Sequence, residues 1–277
     1  MKILLTNSNP LSECYLRYIE DLQASDKYDA ITTTEDIRAF PDYLERYKNL
    51  LVIERGDSAE IRNRKVIAHP SVTTFVKMYS YTDLKYHNDP SIGGRVFLET
   101  LATEEEFKEH AKLPLQVSEK DFAKIQFGFN FLHYTRLETL FEMLKKTEIK
   151  DTLERPIDYF FAGTVEYNKE SISGRLISAH RESWIRSIEQ HREKGFNVEV
   201  HRSKKLNFTQ FVDKLLNTKY IVSPFGWGEM CYRDYEAELC GCTVVKSFHH
   251  PISAYPRGES LVHDKINEHN VIKELLK

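Results

Sequence analysis

The second half of the chain has the cleaner alternation of hydrophobic and polar positions. "IDYFFAGTV" from Ile157, "FNVEVH" from Phe196, "YIVSPFG" from Tyr220 and "TVVK" from Thr243 are short apolar or β-branched runs bounded by turn residues, and they predict strands. Between the first two, "SGRLISAHRESWIRSIEQHREKG" predicts a helix capped by Ser173 and stopped by Gly195. "NFTQFVDKLLNTK" predicts another, capped by Asn207, with Phe208, Phe211, Val212 and Leu215 on one face. A last helix is expected over "KINEHNVIKELLK". The repeated β-α-β order is that of a doubly wound parallel sheet.

The first half is less regular. "KILLTN" predicts an opening strand, followed by a helix from about Leu11 to Gln23 and an amphipathic stretch from Glu35 to Tyr47 broken at Pro41. "LLVIERG" and "KVIAHP" are expected as further strands. "TEEEFKEH" has a threonine cap and an acidic first turn, the signature of a helix start. In "RLETLFEMLKK", Leu137, Leu140, Phe141 and Leu144 recur at helical spacing. "TEIKDTLERP" resembles a polar linker and places a boundary near Asp151. The expected organisation is α/β, with two Rossmann-like domains, residues 1–150 and 151–277, facing a cleft.

Composition narrows the function. Of 277 residues, 39 are Lys or Arg and 42 Asp or Glu, a net charge of -3 that disfavours a general nucleic-acid binder. No run approaches the ~20 apolar residues of a membrane helix, and the opening run is short for a signal peptide, so a soluble, cytoplasmic protein is expected. The four cysteines lack the density of a disulfide scaffold, and Cys231, Cys240 and Cys242 with His249 or His250 match no common zinc spacing. No metal is expected. The pattern leaves the oligomeric state open.

The candidate chemistry concentrates in "SPFGWGEMCYRDYEAELCGC", Ser223 to Cys242, where a strand becomes a helix. With a helix starting near Glu229, Glu229, Arg233 and Glu236 share one face, directed away from the core. One reading is a solvated ladder of ordinary helix ion pairs. The other is a ligand cradle. Gly226 and Gly228 let the backbone approach a phosphate at a helix N-terminus, Trp227 forms a flat wall, Arg233 grips a diphosphate and Glu236 accepts from ribose hydroxyls. The third glycine of G-x-G-x-x-G is missing, and no Gly-Lys-Ser/Thr closes a P-loop.

The same segment resembles the donor-binding region of GT-B glycosyltransferases, the exostosin-like group in particular. Ser223, Pro224 to Gly226, Arg233, Glu236–Ala237 and Gly241–Cys242 before a β-branched strand carry the likeness. Upstream, "YFFAGTV" with Gly163 and "HRESWI" with His180 and Arg181 are similar to that group's strand-glycine and basic-helix elements. The likeness covers roughly Asp158 to Lys246 and is thin before it. It implies a GT-B-like fold and an inverting, metal-independent transfer from a UDP-sugar, with UDP-xylose as a guess, to a glycan or glycoprotein acceptor, with no cofactor required. Glu236 would match the ribose-binding glutamate and Arg233 an arginine near the diphosphate. Glu229 lies seven before Glu236, where related retaining enzymes space two glutamates eight apart.

Without a metal, Arg175, Arg181 and Arg233 would neutralise the leaving diphosphate, Arg175 foremost because it lies at the helix start. An inverting enzyme also needs a general base from the first domain. Asp57 and His69, each expected after a strand, and Asp83 and His87, clustered with Asp89, are the candidates. The alternatives are a non-catalytic nucleotide-sugar binding module and, from another class, a nicotinamide-dependent oxidoreductase, which the missing fingerprint argues against.

Overall fold

The computed structural model describes residues 2–3, 27–54, 58–77, 79–127, 136–203, 206–246, 252–254 and 259–260. The strands of the first half are β1 (Lys2–Ile3), β2 (Ala30–Thr33), β3 (Leu50–Ile53), β4 (Val72–Lys77), β5 (Tyr79–Tyr81), β6 (Ser91–Ile92), β7 (Ala111–Lys112) and β8 (Ile125–Phe127). Five of them form a sheet in the order β1-β2-β3-β4-β8, and every pairing is parallel. The second half supplies β9 (Ile157–Gly163), β10 (Val198–Arg202), β11 (Thr218–Val222) and β12 (Thr243–Val245), also wholly parallel, in the order β10-β9-β11-β12. The chain is therefore mixed α/β with two parallel sheets. Strands of the first precede residue 128 and those of the second follow residue 156.

Several expectations are met in detail. The stretch from Glu35 to Tyr47 is two short helices, Thr34–Ala39 and Tyr43–Arg46, separated at Pro41. Thr103 caps the helix Glu104–His110 with a complete capping box, and Asn207 does the same for Phe208–Leu216. Gly195 ends the long helical region in the left-handed conformation.

Others are corrected. "KVIAHP" is not a strand: Arg64–Ile67 is a helical turn that buries Val66 and Ile67 against Leu50, Val52 and Val72. A short apolar run fits a buried helical turn as well as a strand. Ala30–Thr33, which the pattern leaves unassigned, is a fully buried strand. The cap of the long helix Ile172–Glu189 is Ser171, whose Oγ accepts from the Gly174 amide at 3.1 Å, while Ser173 lies buried in the first turn. The helices expected over Leu11–Gln23 and Lys265–Lys277 lie outside the described residues.

The two sheets share a core. One buried cluster joins Ile31, Leu51, Ile53 and Tyr81 of the first half to Phe160, Leu215, Ile221, Tyr235 and Leu239 of the second. After β12 the chain returns to the first half. There β13 (Ile252–Ala254) pairs antiparallel with β5, and β14 (Glu259–Ser260) pairs with β13. No helix among the described residues is long and apolar enough to cross a membrane.

In the second sheet the chain places β10 on one side of β9 and then β11 on the other. The carboxyl ends of β9 and β11 thus flank the topological switch point, where open α/β sheets form their ligand crevice. Gly163 ends β9, and Ser223 follows β11.

Candidate functional site

The segment after β11 is organised by a buried acid. Asp234 accepts from the Cys231 amide at 2.9 Å, from the Ser223 hydroxyl and from Lys246 Nζ at 2.5 Å. Cys231 is therefore the cap and the helix is Tyr232–Leu239, later than the spacing predicts. This removes Glu229 from the helical row. Its carboxylate turns to the first half, accepting from the Ala59 amide at 3.0 Å and from the Tyr81 hydroxyl. Glu229 thus fastens the turn to the other half and makes no pair with Arg233. Ser223 is likewise occupied in positioning the helix.

The row does not face solvent either. Tyr235, Glu236, Ala237, Leu239 and Cys240 are all buried. Gly241 closes the helix with φ +73, and a Cβ there would lie 2.6 Å from an Arg155 nitrogen, so only glycine fits.

At the switch point two guanidinium groups converge. Arg181 is 3% exposed, and its Nη1 donates to the carbonyls of Pro224, at 3.3 Å, and Phe225, at 2.8 Å. Its charge lies 5.5 Å from the Phe161 ring centroid, and that of Arg233 lies 5.1 Å from the same ring. A Cβ on Gly163 would fall 2.3 Å from Arg233 Nη2 and 3.3 Å from Arg181 Nη2, so the missing side chain is what lets both cations lie over the end of β9. Arg181 Nε and Arg233 Nη1 are buried with no hydrogen-bond partner, and neither residue has a carboxylate within ion-pair distance among the described residues. Burial, then the charge of Arg233, pulls the Arg181 guanidinium down to about 10. Two cations this close, with no carboxylate at ion-pair distance among the described residues, are costly unless an anion offsets them.

Glu236 lies one helical turn beyond Arg233. It is 6% exposed, accepts no hydrogen bond from a described residue and is pushed up to about 8 by burial alone. A buried carboxyl of this kind is costly unless a ligand supplies donors.

The remaining donor-side residues separate. Arg175 points outward, with its side chain more than half exposed, and pairs with Glu106 at 3.5 Å. Of the two helix arginines, Arg181 is the one at the switch point. The signal was present in the sequence: Arg181 is four residues from both Ile177 and Ile185, a cation on the apolar stripe. His180 stacks on Phe225, centroids 5.1 Å apart. Gly226 and Gly228 form the turn around Trp227, the Gly226 amide donating to the Gly228 carbonyl at 3.2 Å. A Cβ at Gly226 would make only ordinary contacts, so that glycine is not demanded by crowding. Phe161 and Tyr167, whose rings carry the guanidinium groups, have no distinguishing sequence signal.

The candidate bases lie elsewhere or are engaged. His69 lies at the amino end of β4, away from the carboxyl edge, with its ring nitrogens on Ser71 Oγ at 2.8 Å and Glu45 at 3.3 Å. Asp83 is the exposed cap of the helix Leu84–Asn88, accepting from the Lys85 amide, and Asp89 follows that helix. His87 is fully buried: Nδ1 accepts from the Ile61 amide and Nε2 meets Ser80 Oγ, each at 3.2 Å. Burial, then Lys77, pushes it down to about 3, so it is a neutral pin rather than a base. Asp57 lies outside the described residues.

Among the described residues no three or more His, Cys, Asp or Glu side chains are grouped to hold a metal ion. Cys240 and Cys242 are buried and their thiols are pushed up, Cys242 to about 12, while His249 and His250 lie outside the described residues. A scan against protein-family models and searches of curated proteins and of solved structures return no match to this chain.

Proposed function

We propose that the chain is a GT-B-type glycosyltransferase that binds a UDP-sugar at the carboxyl edge of its second sheet. The observation that carries the reading is the Arg181–Arg233 pair over Gly163, in which Arg181 and the Nη1 of half-buried Arg233 are buried with no carboxylate at ion-pair distance among the described residues. A diphosphate seated there would supply the missing countercharge and acceptors for Arg181 Nε and Arg233 Nη1. In sugar transfer the same cations would stabilise charge growing on the leaving diphosphate, the work a metal does elsewhere. Glu236, one turn along the helix, would accept from the ribose hydroxyls. The resemblance of Ser223–Cys242 to the exostosin-like donor segment supports the same two assignments. In this reading the first half binds the glycan acceptor.

One observation favours a second reading, a non-catalytic nucleotide-sugar binding module. Each candidate base among the described residues is a cap, a buried pin or on the wrong sheet edge. Incubation with UDP-xylose, UDP-galactose and UDP-glucuronate, followed by measurement of released UDP, separates the two. Catalysed release that Glu236→Gln abolishes supports the transferase. Saturable UDP-sugar binding without release, with and without glycan acceptors, supports the module, and absence of UDP binding refutes both.

A further inference from the structure

Trp227 is a large apolar side chain that packing does not explain. Its neighbours Phe225, Glu229 and Met230 are almost wholly buried, yet Trp227 keeps 37% of its surface exposed. It is nevertheless rigidly held. Arg95 Nε donates to its carbonyl at 2.7 Å, and the Arg95 guanidinium covers the indole at 4.9 Å from the ring centroid. Tyr167 stands at right angles to it, centroids 5.2 Å apart. A fixed indole with an open surface loses little entropy when a flat or ring-shaped ligand packs on it.

Its position specifies the ligand. Tyr167 also lies 5.5 Å from the Arg181 guanidinium, so one ring separates the indole from the cation pair. Arg95 belongs to the first half, so the indole lies where the two halves meet. A nucleotide sugar has two ends beyond its diphosphate, the nucleoside and the sugar. Glu236, inside the second half, is suited to ribose hydroxyls. The other end, directed toward the first half, would then lie on the side of Trp227.

We infer that Trp227 is the stacking platform for the pyranose ring of the sugar nucleotide, whose C–H face would lie on the indole. This rests on the UDP-sugar reading above. Only two tryptophans exist, so in a Trp184→Phe background Trp227 alone reports by fluorescence. Titrations with UDP and with UDP-xylose, UDP-galactose and UDP-glucuronate are compared, and Trp227→Ala is titrated by calorimetry. The expected result is an emission change with at least one UDP-sugar and little with UDP. Trp227→Ala then weakens that UDP-sugar about tenfold and leaves UDP affinity unchanged. Equal responses to UDP and UDP-sugar, with both weakened by Trp227→Ala, would assign the indole to the base and overturn the inference. Unaltered affinities in Trp227→Ala would overturn it too. Failure of UDP itself to bind the wild-type chain would instead refute the underlying reading, and the inference with it.

Discussion

Replacing Arg233 with methionine should make the protein more stable and weaken nucleotide binding roughly thirtyfold. Arg181 Nη2 and Arg233 Nη2 lie 3.3 and 2.3 Å from one point, the position of a Cβ on Gly163, so they are at most about 5.6 Å apart. At an effective dielectric constant of about 20 their repulsion is about 3 kcal/mol, and about half that where water reaches Arg233. Methionine keeps much of the stem's packing and sacrifices no hydrogen bond of Arg233 Nη1, which has none. It does lose the charge over the Phe161 ring, worth about 0.5–1 kcal/mol. The net is a gain of about 1 kcal/mol, or about 2 °C in Tm for a domain of this size. Losing one charge-assisted phosphate contact should cost at least about 2 kcal/mol, roughly thirtyfold in Kd for UDP. Urea denaturation and calorimetric UDP titration of both proteins test this directly. An Arg233→Met variant less stable than wild type with unchanged UDP affinity would make Arg233 a structural residue and refute the reasoning.

Gly163→Ala places a methyl group 2.3 Å from Arg233 Nη2 and must displace that guanidinium, on a backbone whose φ of +158 L side chains rarely adopt; calorimetry should show UDP affinity falling at least about tenfold, and denaturation a stability loss of about 1–3 kcal/mol. Glu236, raised to about 8, is about nine-tenths protonated at pH 7; if it meets ribose as a carboxylate, UDP binding should release close to one proton more in the wild type than in Glu236→Gln, measured by calorimetry in buffers of different ionisation enthalpy. Glu60 is buried against Glu229 and raised to about 8, so the folded state binds a proton that the unfolded state has lost; stability should fall as pH rises from 6.5 to 8, and Glu60→Gln should remove about 2 kcal/mol of that fall in denaturation series. His87, neutral in the fold and ordinarily titrating at about 6.5, acts in the opposite sense, costing stability as pH falls through that value, so it does not cause the fall toward pH 8.

The second sheet was legible because its strands are short runs rich in β-branched and aromatic residues bounded by turn residues, and its helices carry caps such as Asn207 with Gln210. The first sheet was less so: the pattern left Ala30–Thr33 unassigned, and an apolar run as short as Val66–Ala68 does not declare its period. Spacing and turn chemistry singled out Arg233, Glu236 and Gly163 but directed the helical row away from the core, whereas Glu236 is buried. The helix start was not, because it depends on Asp234 reaching both Cys231 and Lys246 across 12 residues of sequence. The fate of Glu229 was not legible either, since its partners Ala59 and Tyr81 are 170 and 148 residues away. Arg175 and Arg181 differ only in their place on the helix stripe, and burial follows the stripe rather than proximity to the helix start.

The central claim is that the Arg181–Arg233 pair and Glu236, which has no hydrogen-bond partner among the described residues, form the seat of a nucleoside diphosphate. Calorimetric titration of UDP into the wild-type chain in metal-free buffer with EDTA tests it most directly. The account predicts one saturable site with a Kd in the micromolar range, about −8 kcal/mol, weakened at least tenfold by Arg181→Met and by Glu236→Gln in folded protein. No binding at millimolar UDP, or binding that both variants leave unchanged, would contradict it.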